Sequence, residues 1–182
     1  GLRARKFEVA YDSACHLLES SSTERNSGMR VFTTNQASDD HLGDDLYDSV
    51  IETEILSRGA VVINCEENKL LAFSESGDIK LLAQWLIKSD KIRFNGLKNE
   101  DGVYHLERLK IDKSSVLKER PHCIKCNVRM KSMGQNQPVR CPKCRTRSEQ
   151  KWIETPRVPP TLDWVQAPLD SRRHLTRPLE WN

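Results

Sequence analysis

Apolar and polar positions recur along the chain at two spacings, one typical of helices and the other of strands. The first segment carries apolar side chains at steps of three and four, which predicts one amphipathic helix over residues 7–20. Its apolar positions are Phe7, Tyr11, Ala14 and Leu18. A polar loop follows, and residues 29–33 (MRVFT) are predicted as a short strand. The next stretch, TTNQASDDHLGDD, is polar and acidic, so we expect a domain boundary within it or just after it.

The middle of the chain predicts a small β-barrel. Five short segments have the composition of strands, with turn-forming or polar stretches between them. They are 46–55, 59–64, 69–74, 91–95 and 103–111. In the first of them Tyr47, Ile51, Thr53 and Ile55 share one face. A predicted helix, DIKLLAQWLIKS, begins at Asp78 as its N-cap and lies between the third and fourth strands. This order of elements is that of an OB-fold.

Four of the six cysteines form two CxxC pairs, and their spacing predicts a metal site. Each pair places two sulfurs on one turn, and a segment of fourteen residues between the pairs is long enough for a hairpin that brings them together. Zinc, a disulfide pair and an iron–sulfur cluster are all conceivable, but this spacing favours a structural zinc ion with a closed tetrahedral shell. The predicted ligands are Cys123, Cys126, Cys141 and Cys144. The isolated Cys15 and Cys65 are predicted to be small buried hydrophobes.

Charge is distributed unevenly, although the net charge is only +3. Residues 37–56 hold seven acids and no Lys or Arg, whereas residues 118–151 hold ten Lys or Arg and two acids. A zinc ion with four thiolates carries a charge of about −2, so the metal leaves most of the basic excess uncompensated. Solvated lysines are one explanation. A surface that binds phosphates is the other, and we favour it because each phosphate contact releases counterions.

The C-terminal segment and the remaining composition exclude several classes. Residues 151–182 hold five of the eight prolines and three of the four tryptophans, which predicts an extended tail that packs on other domains. No apolar run approaches the ~20 residues of a membrane span. The N-terminus lacks the apolar segment of a signal peptide. We therefore expect a cytoplasmic protein without a membrane partner. No catalytic constellation is recognisable, so no catalytic residue is predicted.

Three strings, taken in order, resemble a known family. They are VFTTNQASDDHL (31–42), CIKCNVRMKSMGQNQPVRCPKC (123–144) and RRHLTRPLE (172–180). Together they resemble the C-terminal half of archaeal tRNA-isoleucine 2-agmatinylcytidine synthetase, a family that joins agmatine to the wobble cytidine of an isoleucine tRNA with the use of ATP. The resemblance implies a mainly β chain with some α structure. The implied domains are the end of a ferredoxin-like domain (1–42), an OB-fold (43–117), a zinc ribbon (118–150) and the proline-rich tail (151–182).

The resemblance also implies partners and site residues. The kinase-like catalytic domain of the family, with its ATP and magnesium, lies upstream of the matching part. Residues 1–182 are therefore expected to bind tRNA without modifying it, either as a fragment or as a subunit beside a separate catalytic chain. The expected RNA contacts on the ribbon are Arg129, Lys131, Gln135, Gln137, Arg140, Lys143 and Arg145. The first string is expected to face a substrate site or another domain through Asn35, Gln36, Asp39 and His41. On the barrel, Phe94 and Tyr104 are stacking candidates, with core packing favoured for Phe94.

Two other interpretations remain open from the residues alone. One is a general OB-fold and zinc-ribbon module that binds single-stranded nucleic acid, and the other is a scaffold for protein assembly. Neither requires the strings TNQASDDHL and RRHLTRPL, so these strings favour the family.

Overall fold

The computed structural model describes residues 2–22, 24, 28–135 and 137–181. The chain divides into two compact units, Gly1–Gln36 and Ala37–Asn182. In the first unit, helix α1 spans Phe7–Glu19, close to the predicted bounds. The rings of Phe7 and Tyr11, one helical turn apart, stack with centroids 5.9 Å apart. No residue of α1 is buried.

The strand predicted at residues 29–33 is wrong. These residues are described, and they form no ladder with any other described segment. A stretch rich in β-formers becomes a strand only where a neighbour accepts its backbone hydrogen bonds. Composition alone therefore overstated this segment, and the assignment of residues 1–42 to a ferredoxin-like domain stays a prediction.

The second unit is built on a closed five-stranded barrel. Its strands are β1 (Leu46–Ile55), β2 (Val61–Cys65), β3 (Lys69–Ala72), β4 (Lys91–Lys98) and β5 (Val103–Lys113). They pair in the order β1–β2–β3–β5–β4, and β4 pairs with β1 to close the barrel. The β3–β5 pair is parallel and the other pairs are antiparallel. Helix α2 (Asp78–Trp85) lies between β3 and β4 along the chain. The predicted OB-fold is confirmed.

The barrel encloses one continuous apolar core. Alternate residues of the strands point inward, and α2 contributes one of its faces. The buried core residues are Val50, Val61, Ile63, Cys65, Leu70, Ala72, Ile79, Leu82, Ala83, Leu86, Ile92, Phe94, Leu106, Leu109, Ile111 and Ala167. Phe94 is fully buried, so it packs in the core and offers no face to a ligand. Burial raises the pKa of the Cys65 thiol to about 12, which leaves it a neutral hydrophobe as predicted. Cys15, by contrast, is only half-buried.

Two local features differ from the predictions. The four residues predicted to share one face of β1 are divided: Tyr47 and Ile51 are exposed, whereas Thr53 and Ile55 lie opposite the buried Ile63 and Val61 of β2. A β-bulge between Val50 and Glu52 shifts the register there, so simple alternation does not hold along β1. At α2 the N-cap is Gly77, with φ at +56°, and Asp78 is already the first helical residue.

Closure of the barrel depends on a glycine at the β4–β5 contact. The pairing of these strands shifts register between Asn95 and Gly96. A Cβ at Gly96 would lie 2.2 Å from the carbonyl oxygen of His105, far inside van der Waals contact. A side chain at this position would therefore force the two strands apart.

A two-stranded stem connects the barrel with the cysteine-rich segment. Strand β6 (Leu117–Glu119) leaves the barrel and pairs antiparallel with β9 (Ile153–Thr155), which returns to it. All six stem residues are exposed. The stem therefore has no core of its own, and its position depends on its two ends.

A buried ion pair holds the barrel end of the stem. Asp90 is fully buried in the turn before β4, and Arg157 Nη1 donates to its two carboxylate oxygens at 2.9 and 2.8 Å. The same guanidinium lies 3.6 Å above the Trp85 ring and donates to the Trp85 carbonyl. The backbone N–H and the hydroxyl of Ser115 also donate to Asp90, both at 2.7 Å. Because Ser115 precedes β6 and Arg157 follows β9, both legs of the stem are tied to one carboxylate, which we call the Asp90 joint.

The C-terminal tail returns along the barrel as extended chain. Strand β10 (Val165–Gln166) pairs antiparallel with β5, and a single 3-10 turn spans Leu179–Trp181. The prolines are consistent with this course, since they exclude long helices and central strands. Within the described ranges, no helix combines the length and the apolar character that a bilayer crossing requires.

Candidate metal centre and adjoining basic surface

Each CxxC pair folds into a tight turn, and the two turns are alike. In the first turn the backbone N–H of Asn127 donates to the Cys123 carbonyl at 2.8 Å, and in the second that of Arg145 donates to the Cys141 carbonyl at 3.0 Å. Asn127 and Arg145 both have positive φ, at 51° and 62°. The left-handed residue ends each turn and lets the chain continue as a strand, which leaves the sulfurs on the inner side.

The four sulfur atoms converge on one point. All of them lie within 4.8 Å of one another, and the sulfurs of Cys123 and Cys144 are 3.4 Å apart. A tetrahedron with the usual Zn–S distance of about 2.3 Å has S–S edges of about 3.8 Å, so the sulfurs fit one zinc ion without a change of fold. The structure thus brings the four predicted cysteines together. They form a structural zinc site, since four protein ligands leave no position for a substrate.

Hydrogen bonds around the site shift the pKa values of two of the thiols in opposite directions. The Thr146 hydroxyl lies 3.1 Å from the Cys144 sulfur and lowers the pKa of Cys144 to about 6. The hydrogen bond between Cys126 and Cys144 raises the pKa of Cys126 to about 12. Zinc requires all four thiols to be deprotonated, so binding of the ion releases protons and weakens in acid.

The hairpin between the two turns brings three cations into one line. Lys131 and Arg140 exchange both backbone hydrogen bonds, each at 2.9 Å. Strand β7 (Val139–Arg140) pairs with β8 (Arg147–Ser148), and this pairing sets Arg140 opposite Arg147. Residues directly opposite each other in antiparallel strands project from the same face. Lys131, Arg140 and Arg147 therefore form a cross-strand row, which we call the basic row.

The basic row lies on the side of the hairpin away from its small core. Met130 and Val139, the neighbours of Lys131 and Arg140 in the chain, are buried against the cysteines. None of the three cations forms an ion pair with a carboxylate of the described residues. Like charges directly opposite each other destabilise a sheet. The row is therefore suited to an anion with several charges, which would relieve this repulsion.

The other predicted RNA contacts lie around the row. Arg129 pairs with Glu119 of the stem at 3.3 Å, and both side chains remain more than half exposed. Gln135 and Gln137 are exposed at the hairpin tip. Lys143 and Arg145 are exposed on the second CxxC turn. Arg147 was not among the predicted contacts, because its place in the row follows from strand register, which the sequence does not show.

The first and third strings of the sequence meet beside β5. The backbone N–H groups of Ala37 and Asp39 donate to the carbonyls of His174 and Leu175, both at 2.9 Å. The Asp39 carboxylate accepts hydrogen bonds from the Arg108 guanidinium and from a tail N–H, that of Arg177, both at 2.7 Å. Both oxygens of Asp39 are thus used within the fold, where they fix the loop to the barrel and the tail.

His41 lies in the same polar network. Its Nε2 is 3.4 Å from the Thr176 hydroxyl, which donates to the buried Glu107 at 2.7 Å. Its Nδ1 is buried and has no partner within the described structure. Asn35 and Gln36 belong to the other unit and are exposed. A substrate-site or interface role for these residues stays a prediction.

Known proteins resemble the chain along nearly its whole length. The family model of the TiaS C-terminal zinc ribbon domain matches residues 120–158. The isoleucine-tRNA 2-agmatinylcytidine synthetase TiaS of Archaeoglobus fulgidus is 27% identical over an alignment of 199 positions, which covers 98% of this chain and 46% of the relative. The synthetase of Methanosarcina acetivorans is 29% identical over 202 residues, with the same coverage. The crystal structure of TiaS in complex with its isoleucine tRNA, AMPCPP and agmatine shares the fold, with a TM-score of 0.70 at 20% identity over 98% of this chain and 44% of that chain.

The matches cover only part of each relative, and they include the zinc ribbon of this chain. The chain spans about half the length of the curated relatives it matches. The zinc ribbon match includes both CxxC turns, the basic row and the return strand of the stem. The chain is therefore homologous to a C-terminal half of the isoleucine-tRNA 2-agmatinylcytidine synthetases.

Proposed function

We propose that residues 1–182 are the tRNA-binding portion of an enzyme that joins agmatine to the wobble cytidine of an isoleucine tRNA in an ATP-dependent reaction. The observation that carries the proposal is the basic row on the zinc ribbon. Three cations stand side by side on a hairpin whose shape is fixed by the metal and whose side chains lack acidic partners in the described ranges. Their repulsion is relieved when they contact the phosphates of an RNA backbone.

Different residues of the ribbon contribute sequence-independent affinity for RNA and selectivity for its bases. Lys131, Arg140 and Arg147 contact phosphates, which carry no sequence information. Arg129, Gln135 and Gln137 surround the row and have donors and acceptors that suit the edges of unpaired bases. Lys143 and Arg145 extend the positive surface along the second CxxC turn.

The chemical step is assigned to a catalytic domain outside residues 1–182, in the same polypeptide or in a separate chain. The curated relatives are about twice as long as this chain, and the solved complex of a relative contains AMPCPP and agmatine. Within the described residues, the four cysteines are the only group arranged to hold a metal ion, and they form a closed set. We assign ATP, magnesium and agmatine to that catalytic domain. The cytoplasm is the proposed location, as tRNA modification requires access to the tRNA pool.

Binding of tRNA at several salt concentrations tests the proposal. We expect the chain to bind an isoleucine tRNA with a wobble cytidine more tightly than a random single-stranded DNA of equal length. Lys131→Ala, Arg140→Ala and Arg147→Ala should each reduce the slope of log affinity against log salt by about 1. Lys88→Ala, in the exposed turn after α2, removes the same charge away from the ribbon and should leave the slope unchanged.

Two results would contradict the proposal. Equal affinity for the tRNA and the DNA would indicate a general single-strand binder. Absence of binding at every salt concentration would indicate a scaffold. Incubation of the chain with tRNA, ATP and agmatine should give no modified tRNA, and modification by this chain alone would refute the assignment of catalysis to another domain.

A further inference from the structure

Among the described residues of the second unit there are four cation–aromatic pairs, which differ in the other contacts that the cation makes. In three of them the cation is either ion-paired or lies over a half-buried ring. These pairs are Arg157 over Trp85, Arg93 over Tyr47 and Lys98 over Tyr104. The fourth pair is Arg120 over Trp152, with the guanidinium 3.8 Å from the ring centroid.

The partners of the first two arginines show why they are not free to bind a ligand. Arg157 is buried in the Asp90 joint, where its charge is neutralised. Arg93 pairs with Asp112 at 3.3 Å. The groove beside Tyr47 is lined by four acids and two lysines, a net negative set that disfavours a phosphate backbone: Asp48, Glu66, Glu67, Asp112, Lys91 and Lys113. The Arg157–Trp85 pair therefore stabilises the barrel. The Arg93–Tyr47 pair lies in negatively charged surroundings that disfavour RNA.

The Arg120–Trp152 pair lies at the ribbon end of the stem under different conditions. Trp152 is 47% exposed, which makes it the most exposed of the four tryptophans. Arg120 donates to the Lys151 carbonyl at 2.9 Å, and this hydrogen bond holds its guanidinium over one face of the indole. No carboxylate of the described residues lies within ion-pair distance of Arg120. Burial in a core does not account for an indole that is so open.

We propose that Trp152 and Arg120 form a stacking platform for one unpaired base of the bound tRNA. The inference rests on the proposed function, since the occupant is a nucleotide of the RNA that the basic row holds. Indole rings and guanidinium planes are the two side-chain surfaces on which splayed bases stack. The surrounding segment 118–151 has ten Lys or Arg and two acids, so its charge favours a nucleic acid over a basic peptide.

The platform differs from the basic row in its expected salt behaviour. Stacking neutralises no phosphate, so its loss lowers affinity by the same factor at every salt concentration. Loss of a cation from the basic row changes the slope instead. The two contributions can therefore be separated on the same RNA, and failure of one does not imply failure of the other.

The test compares RNA binding of the whole chain and its variants. The probes are a tRNA anticodon-stem hairpin with an unpaired loop and a blunt RNA duplex. Trp152→Leu should weaken binding of the hairpin about 10-fold at every salt concentration and leave binding of the duplex unchanged. Trp152→Phe should retain most of the affinity. RNA should quench the tryptophan emission of the wild-type chain, and this quenching should be smaller in Trp152→Phe.

Tyr47→Leu is the matched control, because it removes an exposed aromatic ring from an Arg pair in acidic surroundings, and it should leave both affinities unchanged. Zinc content and thermal midpoint are measured for every variant. Wild-type affinity for the hairpin in Trp152→Leu, an equal loss on the duplex, or unchanged quenching in Trp152→Phe would each overturn the platform while leaving the proposed function intact. A wild-type chain that binds no RNA would overturn both.

Discussion

The barrel and the zinc ribbon of this chain are stabilised in opposite ways. The barrel buries sixteen apolar residues in one core, whereas the core cluster of the ribbon has four buried residues, of which two are cysteines that face the metal. A core of that size cannot offset the conformational entropy of a segment of about thirty residues. The metal must therefore supply most of the stability of the ribbon.

This difference also explains where the charges are. A fold that depends on an apolar core loses stability when repulsive groups strain its strand pairs. The ribbon is fixed from inside by four metal bonds, so its outer face tolerates three adjacent cations. The zinc site and the basic surface thus belong together physically, since the first permits the second.

Removal of zinc should separate the two regions most strongly. Cys141→Ser removes one of four ligands, and the ribbon should unfold because structural zinc supplies on the order of 10 kcal/mol. The barrel should remain folded. Zinc content and amide hydrogen exchange, resolved by segment, measure both effects. Simultaneous loss of protection in the barrel would show that the two regions are one cooperative unit.

Acid should produce the same separation. Zinc lowers the pKa of its thiol ligands in the folded ribbon, so the stability they contribute is present at neutral pH and lost as pH falls. The sixteen core residues of the barrel are uncharged, and its two buried carboxylates, Asp90 and Glu107, are ion-paired with arginines. A pH titration followed by segment-resolved exchange should therefore show the ribbon opening before the barrel, and the reverse order would contradict the comparison.

A core truncation in the barrel should give the complementary result. Phe94→Ala removes a fully buried ring and should lower the free energy of unfolding of the barrel by about 4 kcal/mol. Zinc affinity should change little. Tyr47→Ala, which truncates an exposed ring on β1, serves as the control and should cost far less. Chemical denaturation with zinc present measures the barrel, and a competing chelator measures the ribbon.

The Asp90 joint is the place where the two regions should respond together. Arg157→Ala leaves the buried Asp90 carboxylate without its cation and should destabilise the barrel by about 3 kcal/mol. The same change should release the return strand of the stem, seen as faster exchange of the β9 amides. Lys118→Ala breaks an exposed ion pair of the stem and is the control, with an expected cost below about 1 kcal/mol. Equal effects of the two variants would contradict a special role of the joint.

The smallest effect is expected where the two CxxC turns differ. Asn127 and Arg145 hold equivalent positive-φ positions, but asparagine adopts this conformation at lower cost than arginine. Arg145→Asn should therefore raise the stability of the zinc-bound ribbon by about 0.5–1 kcal/mol. Asn127→Arg should lower it by a similar amount. Thermal unfolding of the zinc-loaded chain tests the pair, and effects of the same sign would refute the strain argument.

Periodicity and spacing predicted the parts of the structure that depend on local sequence. The five strands and α2 follow from apolar spacing, and the zinc site follows from two CxxC pairs, because both signals lie within short segments. The prediction of a strand at residues 29–33 was wrong because a strand also needs a pairing partner elsewhere in the chain, which a local signal does not show.

The remaining features depend on pairs of residues far apart in sequence. Asp90 and Arg157 are separated by 67 residues, and neither residue predicts a contact with the other from the sequence. Arg147 joins the basic row only through the β7–β8 register. The division of the predicted β1 face follows from one bulge between Val50 and Glu52. In each case the sequence shows the side chain, but only the fold shows what it meets.

The stem has a geometric consequence for the reach of the ribbon. It contains three residue pairs, and both of its legs are fixed at one end by the Asp90 joint. Each added pair lengthens such a ladder by about 3.4 Å and reverses the faces of the side chains beyond it. Insertion of one pair would turn the cations to the opposite side, while insertion of two would restore their direction about 7 Å further out. The length of the stem and the direction in which the ribbon presents its cations therefore change together.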